Sequence, residues 1–236
     1  MTVRLLLDPP LPGPVNMARD ELLLQQAVER GEAAVRWYEW SPATLSLGYF
    51  QADEPDVLPA LPRVRRLSGG GAIRHDREWT YSIAAPSGVF GPTPDLYRRV
   101  HEAIIAELSA AGVETAMRGV DNPAVDGNFL CFERGDRHDI LLGDRKVVGS
   151  AQRRRGGAVL QHGSVALTGP IAAAVEDGRL VRDAFVRSVT ARFADAVDAE
   201  WSDAETAFAA DWAERKYARL EWTGDLRRGP ELPANV

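Results

Sequence analysis

The most reactive atom this chain can offer is the sulfur of Cys131, its only cysteine, in the stretch GNFLCFERGD. A lone cysteine is often a small buried hydrophobe. This one stands among glycine and charged residues and not on a periodic apolar face, which marks it as a candidate nucleophile. Attack needs the thiolate, and a neighbouring cation favours that form. Lys146, fifteen residues later in GDRKVVGSAQ, is a candidate for the cation, with a solvated lysine as the alternative. A second feature is RRLSGGGAIRHDREWTYSI, Arg65 to Ile83. Ordering Gly69, Gly70 and Gly71 costs more backbone entropy than any other triplet would. No Lys-Ser/Thr follows, so this is not a Walker loop; the spacing and the strand that follows exclude a dinucleotide fingerprint. It is either a tight turn or a bare backbone edge against which a ligand lies flat. His75 and Asp76 form a potential hydrogen-bonded pair or the cap of a turn. His162, beside Gly163 in an apolar run, reads by itself as a core histidine. Arg153 to Arg155 read as a solvated loop or a local dock for an acidic partner. There is no Gly-x-Ser-x-Gly elbow, and HEAII lacks the second histidine of a zinc-protease helix. One cysteine and four scattered histidines leave no zinc spacing.

The elements that must hold these residues are legible in outline. NMARDELLLQQAVERG has helical apolar spacing, with Asn16 as a candidate N-cap and Gly31 at its end. VRWYEW (35–40) and ATLSLGYF (43–50) read as strands joined by a turn. DEPDVLPALP is a short helix or loop broken by prolines. RVRRL enters the glycine run as a strand and EWTYSIAA leaves it as another. TPDLYRRVHEAIIAELSAAGVE is a helix closed by Gly112. HDILLGDRKVVGSAQ reads as two strands around a Gly-Asp turn, AVLQHGSVAL (158–167) as a further strand, and residues 171–217 as helical. The expectation is an α+β fold of mixed, largely antiparallel sheets packed with helices. It forms a single catalytic domain over 1–236, with a loose tail from about 226.

Composition narrows the classes. The 236 residues are 45% hydrophobic and 26% charged, ordinary for a globular chain with a real core. A net charge of −6 argues against a nucleic-acid partner. No apolar run approaches the roughly 20 residues needed to span a bilayer. MTVRLLLDPPLPGP soon meets Asp8 and prolines, so it reads as a strand and turn and not a signal peptide. One cysteine excludes an internal disulfide and fits a reducing cytoplasm.

RRLSGGGAIRHD followed by GDRKVVGSAQRRRGGAVLQHGS resembles the lipoate–protein ligase and octanoyltransferase superfamily, which shares its fold with biotin ligases. NMARDELLL is similar to the opening helix of that superfamily, VRWYEWSPATLSLGYFQ to its next hairpin and ERKYARLEW to its closing signature. The resemblance implies that the acyl site is lined by Arg66, Ser68, Gly69, Gly70, Gly71 and His75, by Gly149, Ser150 and Ala151, and by His162 and Gly163. CF ahead of the lysine block, LSLGYFQ and LQHGS resemble the cysteine-dependent octanoyl-carrier-protein:protein transferases. In that group the resemblance makes Cys131 the acyl-accepting nucleophile and Lys146 its charge partner. The donor is then octanoyl-acyl carrier protein, and the acceptor a lysine of a lipoyl domain of a 2-oxoacid dehydrogenase complex or of the glycine cleavage H protein. No cofactor or metal is needed, and Arg65, Arg66 and Arg153 to Arg155 steer acidic partners. Glycine at position 71 is a departure, because arginine is usual there in the transferases and the triple glycine is commoner in ligases. The alternative is therefore an ATP- and magnesium-dependent lipoate–protein ligase acting through lipoyl-adenylate, with Cys131 incidental.

Overall fold

The computed structural model describes residues 2–119, 129–131 and 135–224, apart from the side chains of residues 93 and 94. The tail expected from about 226 lies outside the described residues. The elements run β1 Val3–Leu11, α1 Gly13–Arg30, β2 Ala33–Trp40, β3 Thr44–Leu47, β4 Arg63–Arg65, β5 Ile73–His75, β6 Glu78–Pro86, α2 Thr93–Ala110, β7 Ala116–Met117, β8 Ile140–Leu142, β9 Arg145–Arg155 and β10 Ala158–Ala166. They continue as α3 Pro170–Glu176, α4 Arg182–Ala191, β11 Ala196–Ala199, α5 Asp203–Trp212 with a π-helical turn over Ala213–Tyr217, and α6 Leu220–Thr223.

One sheet has the order β11-β1-β2-β6-β10-β9-β8-β7, and a smaller one the order β4-β3-β5. β1 pairs parallel with both β2 and β11, β3 pairs parallel with β4, and the remaining pairs are antiparallel. The fold is thus α+β with mixed sheets. Period-2 alternation gives the large sheet two different faces. Val35, Trp37, Tyr81, Ile83 and Val159 pack with α2, α3 and α4 through Leu96, Ile104, Ile171, Phe185 and Val189. Ala34, Tyr38, Ala84 and Leu160 face α1 and α5 through Leu23, Leu24, Ala27 and Trp212. Among the described residues no helix is long and apolar enough to cross a membrane.

Three local expectations are corrected. β2 and β3 are not a hairpin: both edges of β2 are already taken, by β1 and β6, so β3 pairs with β4 and β5 in the small sheet. α1 begins three residues before Asn16, with Pro12 as N-cap and Pro14 in the first turn, where proline's missing N–H costs nothing. Asn16 instead lies inside the helix, its Nδ2 donating to the carbonyls of Leu11 and Glu39 at 3.1 Å each. The 171–217 region is not all helical, because β11 docks as an edge strand on β1. At the other end of α1, Gly31 adopts the left-handed conformation expected of it, φ 68°.

Candidate active site

Cys131 follows directly on a bridge between Leu130 and Ala72. Its N–H donates to the Ala72 carbonyl at 2.6 Å, which ties the thiol to the residue just after the triple glycine. Lys146, the second residue of β9, is buried. Its Nζ lies 3.7 Å from Cys131 Sγ and 3.2 Å from the Cys131 carbonyl oxygen. The Gly143–Asp144 turn between β8 and β9 and a register shift at Ile140/Leu141 set Lys146 opposite Leu141. Asp139, just before β8, pairs with the ammonium at 2.9 Å and also accepts the Asp136 N–H at 2.7 Å. Burial pushes the Asp139 carboxyl above its ordinary pKa, against the pull of Lys146. Sequence reasoning did not single out Asp139; its signal is a carboxylate at the mouth of an apolar strand.

Gly149 lies three residues beyond Lys146, across the irregularity in β9 where Leu141 pairs with Lys146 but Ile140 with Val148. A Cβ there would sit 2.5 Å from Lys146 Cε and 2.9 Å from Nζ. Gly149→Ala is therefore expected to displace the ammonium from Sγ and to slow turnover about 100-fold, the scale of a 1 Å misplacement. Comparison of kcat with the urea midpoint checks this, since the protein should remain folded.

The glycine run is pinned from beneath. Arg66 donates to the carbonyls of Gly69 (2.8 Å) and Gly71 (2.7 Å), and to the carbonyl and Oγ of Ser46 at 3.0 and 3.1 Å. Gly70 between them has φ 92°, a conformation side chains rarely adopt. A Cβ on Gly48 would overlap the Gly70 carbonyl, so the close approach that requires glycine comes partly from β3's own exit. Arg65 donates to the carbonyls of Gly48 (2.7 Å), Gln51 (2.6 Å) and Thr223 (2.6 Å). Arg65 and Arg66 are thus buried braces, and their expected part in steering partners is withdrawn, because a buried guanidinium that saturates carbonyls presents no field-facing charge. Arg153 to Arg155 belong to the end of β9 and not to a loop. Arg153 covers the Tyr49 ring at 4.7 Å, Arg155 lies 3.6 Å from Glu21, and Arg154 is exposed.

A buried polar row lies beneath α1. Arg36 of β2, Ser82 of β6 and His162 of β10 are cross-strand neighbours. All three face Asp20 of α1. Asp20 Oδ1 accepts from Arg36 (2.7 Å) and Ser82 (2.7 Å), and Oδ2 from Tyr38 (3.0 Å) and His162 Nδ1 (3.4 Å). Burial alone would raise the Asp20 carboxyl, but the His162 hydrogen bond and the Arg36 charge outweigh it and hold it low. Burial pushes the His162 imidazole down against the pull of Asp20. His162 Nε2 also bonds Ser68 Oγ. His75 does not pair with Asp76: its Nδ1 meets Glu78, its Nε2 meets Ser46 Oγ at 2.7 Å, and its ring stacks on Trp40 at 3.8 Å. Asp76 lies in the bend between β5 and β6 and turns outward to Arg74.

These groups surround a small, partly enclosed and mainly apolar cavity of about 50 Å³. Cys131, Arg66, Gly70, His75, Gly149, Ser150, Ala151, His162 and Gly163 line it. Ser68, Gly69, Gly71 and Lys146 stand behind that wall and brace residues that form it. The apolar part of the lining includes Met17, Tyr38 and Ile73, which lie within the quoted stretches but were not singled out, because nothing local shows that their side chains turn toward the cavity. Ser150 Oγ bonds Tyr81 Oη at 2.5 Å and His101 Nε2 at 2.6 Å, while His101 Nδ1 bonds the His138 carbonyl. If Nδ1 is the donor, Nε2 accepts and the ring is neutral; burial holds its pKa down at about 4.

A depressed histidine pKa stabilises the fold above the unfolded value near 6.5 and withdraws that stability as pH falls toward the folded value. Between pH 7.5 and 5, His101 is expected to cost the fold about 2 kcal/mol. Urea midpoints across this range should fall, and fall less steeply in His101→Gln. Equal slopes would contradict the assignment.

Among the described residues, no three His, Cys, Asp or Glu side chains group to hold a metal ion. The architecture is that of the lipoate–protein ligases: it superposes on a bipartite lipoate protein ligase from Thermoplasma acidophilum, described with its E2 lipoyl domain, at TM-score 0.71 and 20% identity, over 98% of this chain and all of that one. The chain belongs to the lipoyl protein ligase A/B catalytic domain family, whose sequence model matches residues 12–190. It is 42% identical over 166 residues to the octanoyltransferase LipM of Moorella thermoacetica, a match covering 65% of this chain and 60% of that protein's length. It is 35% identical over 229 residues to that of Symbiobacterium thermophilum, covering 86% of this chain and 82% of the relative.

Proposed function

We propose that the protein transfers an octanoyl group from octanoyl-acyl carrier protein, through a thioester on Cys131, to the lysine of a lipoyl domain. The observation that carries this reading is the position of Cys131 Sγ, 3.7 Å from a buried ammonium and on the wall of a mainly apolar cavity. The Cys131 thiolate attacks the donor thioester carbonyl, with Lys146 available to stabilise negative charge as it develops on the carbonyl oxygen. The new C–S bond forms, the old one breaks, and the carrier thiolate leaves and takes a proton. The deprotonated acceptor amine then attacks the enzyme thioester, the C–S bond breaks as the C–N bond forms, the amine nitrogen gives one proton to solvent, and the amide and the Cys131 thiolate result. The first step exchanges one thioester for another, so the scheme calls on no nucleotide, metal or other cofactor. Burial of methylenes at about 0.8 kcal/mol each supplies the affinity for the chain.

The name shared by the two relatives supports this choice, as does the lipoyl-domain partner of the Thermoplasma ligase for the acceptor. Lipoyl domains of 2-oxoacid dehydrogenase complexes and the glycine cleavage H protein are the acceptors we assign, with the cytoplasm as the place of action. The ATP- and magnesium-dependent ligase is the second reading, favoured by the glycine at position 71. The test supplies apo lipoyl domain with octanoyl-acyl carrier protein alone, or with free octanoate, ATP and magnesium. Transfer is expected with the first set; modification only with the second would install the ligase in its place.

A further inference from the structure

A second, wider cleft of about 350 Å³ has the bridged residues Ala72 and Leu130 in its wall. Its polar lining is Arg74, Arg77, Arg145, Lys146, Glu78 and Thr168. Lys146 belongs to its wall and also contacts Cys131, so the cleft and the acyl cavity meet at the reactive sulfur. The two spaces differ in character. The first holds the apolar side chains Met17 and Ile73, whereas the second gathers four cations against one carboxylate. That carboxylate, Glu78, is already held by His75 and by Thr80 (2.6 Å).

The arginine partners are weak competitors for an anion. Arg74 pairs with Asp76 at 2.7 Å and Arg77 with Glu176 at 3.6 Å, all four side chains being about half exposed or more. Such surface pairs contribute about 0–1 kcal/mol and exchange readily. Arg145 is exposed and, among the described residues, has no carboxylate in ion-pair range. Arginine forks bind phosphate oxygens bidentately and with charge assistance.

Resting on the transferase reading above, we propose that this cleft is the site for the phosphopantetheine arm of the donor, with Arg145, seconded by Arg74 and Arg77, binding its phosphodiester. The acyl half of the thioester then enters the apolar cavity and the polar arm lies in the basic cleft. The scissile C–S bond falls between them, at Cys131, and the departing thiol leaves along the cleft.

The test measures Cys131 acylation by octanoyl-pantetheine, octanoyl-4′-phosphopantetheine, octanoyl-coenzyme A and octanoyl-acyl carrier protein. The wild-type protein is expected to favour the phosphorylated arm over bare pantetheine by about tenfold in kcat/KM, carried by KM, the scale of one charged hydrogen-bonded contact. In Arg145→Gln that ratio should shrink toward one, and in Arg145→Glu it should invert. A higher rate with the carrier protein than with the coenzyme identifies a protein-borne arm, and the reverse a free one; either supports the phosphate site. Equal rates with bare and phosphorylated pantetheine in the wild type, or an unchanged ratio in both Arg145 variants, overturn the assignment and leave the transferase reading intact. Failure of every thioester to acylate Cys131 removes both.

Discussion

Cys131→Ala will lower octanoyl transfer at least about 1,000-fold, because a nucleophile that forms the intermediate cannot be bypassed within the same mechanism. The fold has little reason to suffer. The link between this residue and the glycine loop is its backbone N–H on the Ala72 carbonyl, which alanine preserves. The side chain is only partly buried, so truncation should cost about 1 kcal/mol or less. The measurement is single-turnover transfer beside a thermal melt. A variant that melts like the wild type and still transfers at more than a tenth of its rate would assign the chemistry elsewhere.

The second large effect is expected at Lys146, where structure and catalysis must be separated. Lys146→Met leaves the buried carboxylate of Asp139 with the longer Arg118 contact at 3.8 Å in place of an ammonium at 2.9 Å, and because loss of the sole partner of a buried charge costs about 3–5 kcal/mol, the expected loss lies below that range. Asp139 is already pushed upward by burial, and loss of the lysine removes a pull in the other direction. A raised folded-state carboxyl pKa gives stability that is present at low pH and lost as pH rises through it. The Lys146→Met defect should therefore be smaller at pH 5 than at pH 8. Lys146→Met combined with Asp139→Asn restores a neutral pair, and the amide oxygen that replaces the carboxylate can still accept the N–H of Asp136. Stability should recover, while transfer stays down by about 100- to 1,000-fold, the scale of losing one donor to a developing oxyanion. Recovery of both would make Lys146 a structural residue.

The parts of this site that sequence displays are those where chemistry is concentrated in one stretch. The triple glycine and Cys131 can be picked out by type and neighbours and Lys146 as one of two readings, whereas His162 reads by itself as a core histidine and gains a site role only through the family resemblance. Their supports are long-range and leave little local trace. Asp20 looks like an ordinary helix carboxylate until the registers of β2, β6 and β10 align Arg36, Ser82 and His162 beneath it. Gly48 gains its meaning only from the carbonyl of Gly70, well beyond it in the chain. Adjacency misled at His75, where the bend after β5 carries Asp76 outward and the start of β6 brings Glu78 in as the partner. It also misled at residues 35–50, which look like a hairpin until β1 and β6 occupy both edges of β2. The helices α1 and α2 and the strands β6, β9 and β10 were readable because each is long enough to show its period. β11, with four residues between helices, is not.

Intact-mass spectrometry of the protein after mixing with octanoyl-acyl carrier protein in the absence of nucleotide tests the covalent step most directly. The account predicts one added octanoyl group, located by peptide mapping on Cys131, released by hydroxylamine and consumed when apo lipoyl domain is supplied. An unmodified enzyme that nonetheless octanoylates the acceptor, or an adduct mapped to another residue, would contradict it.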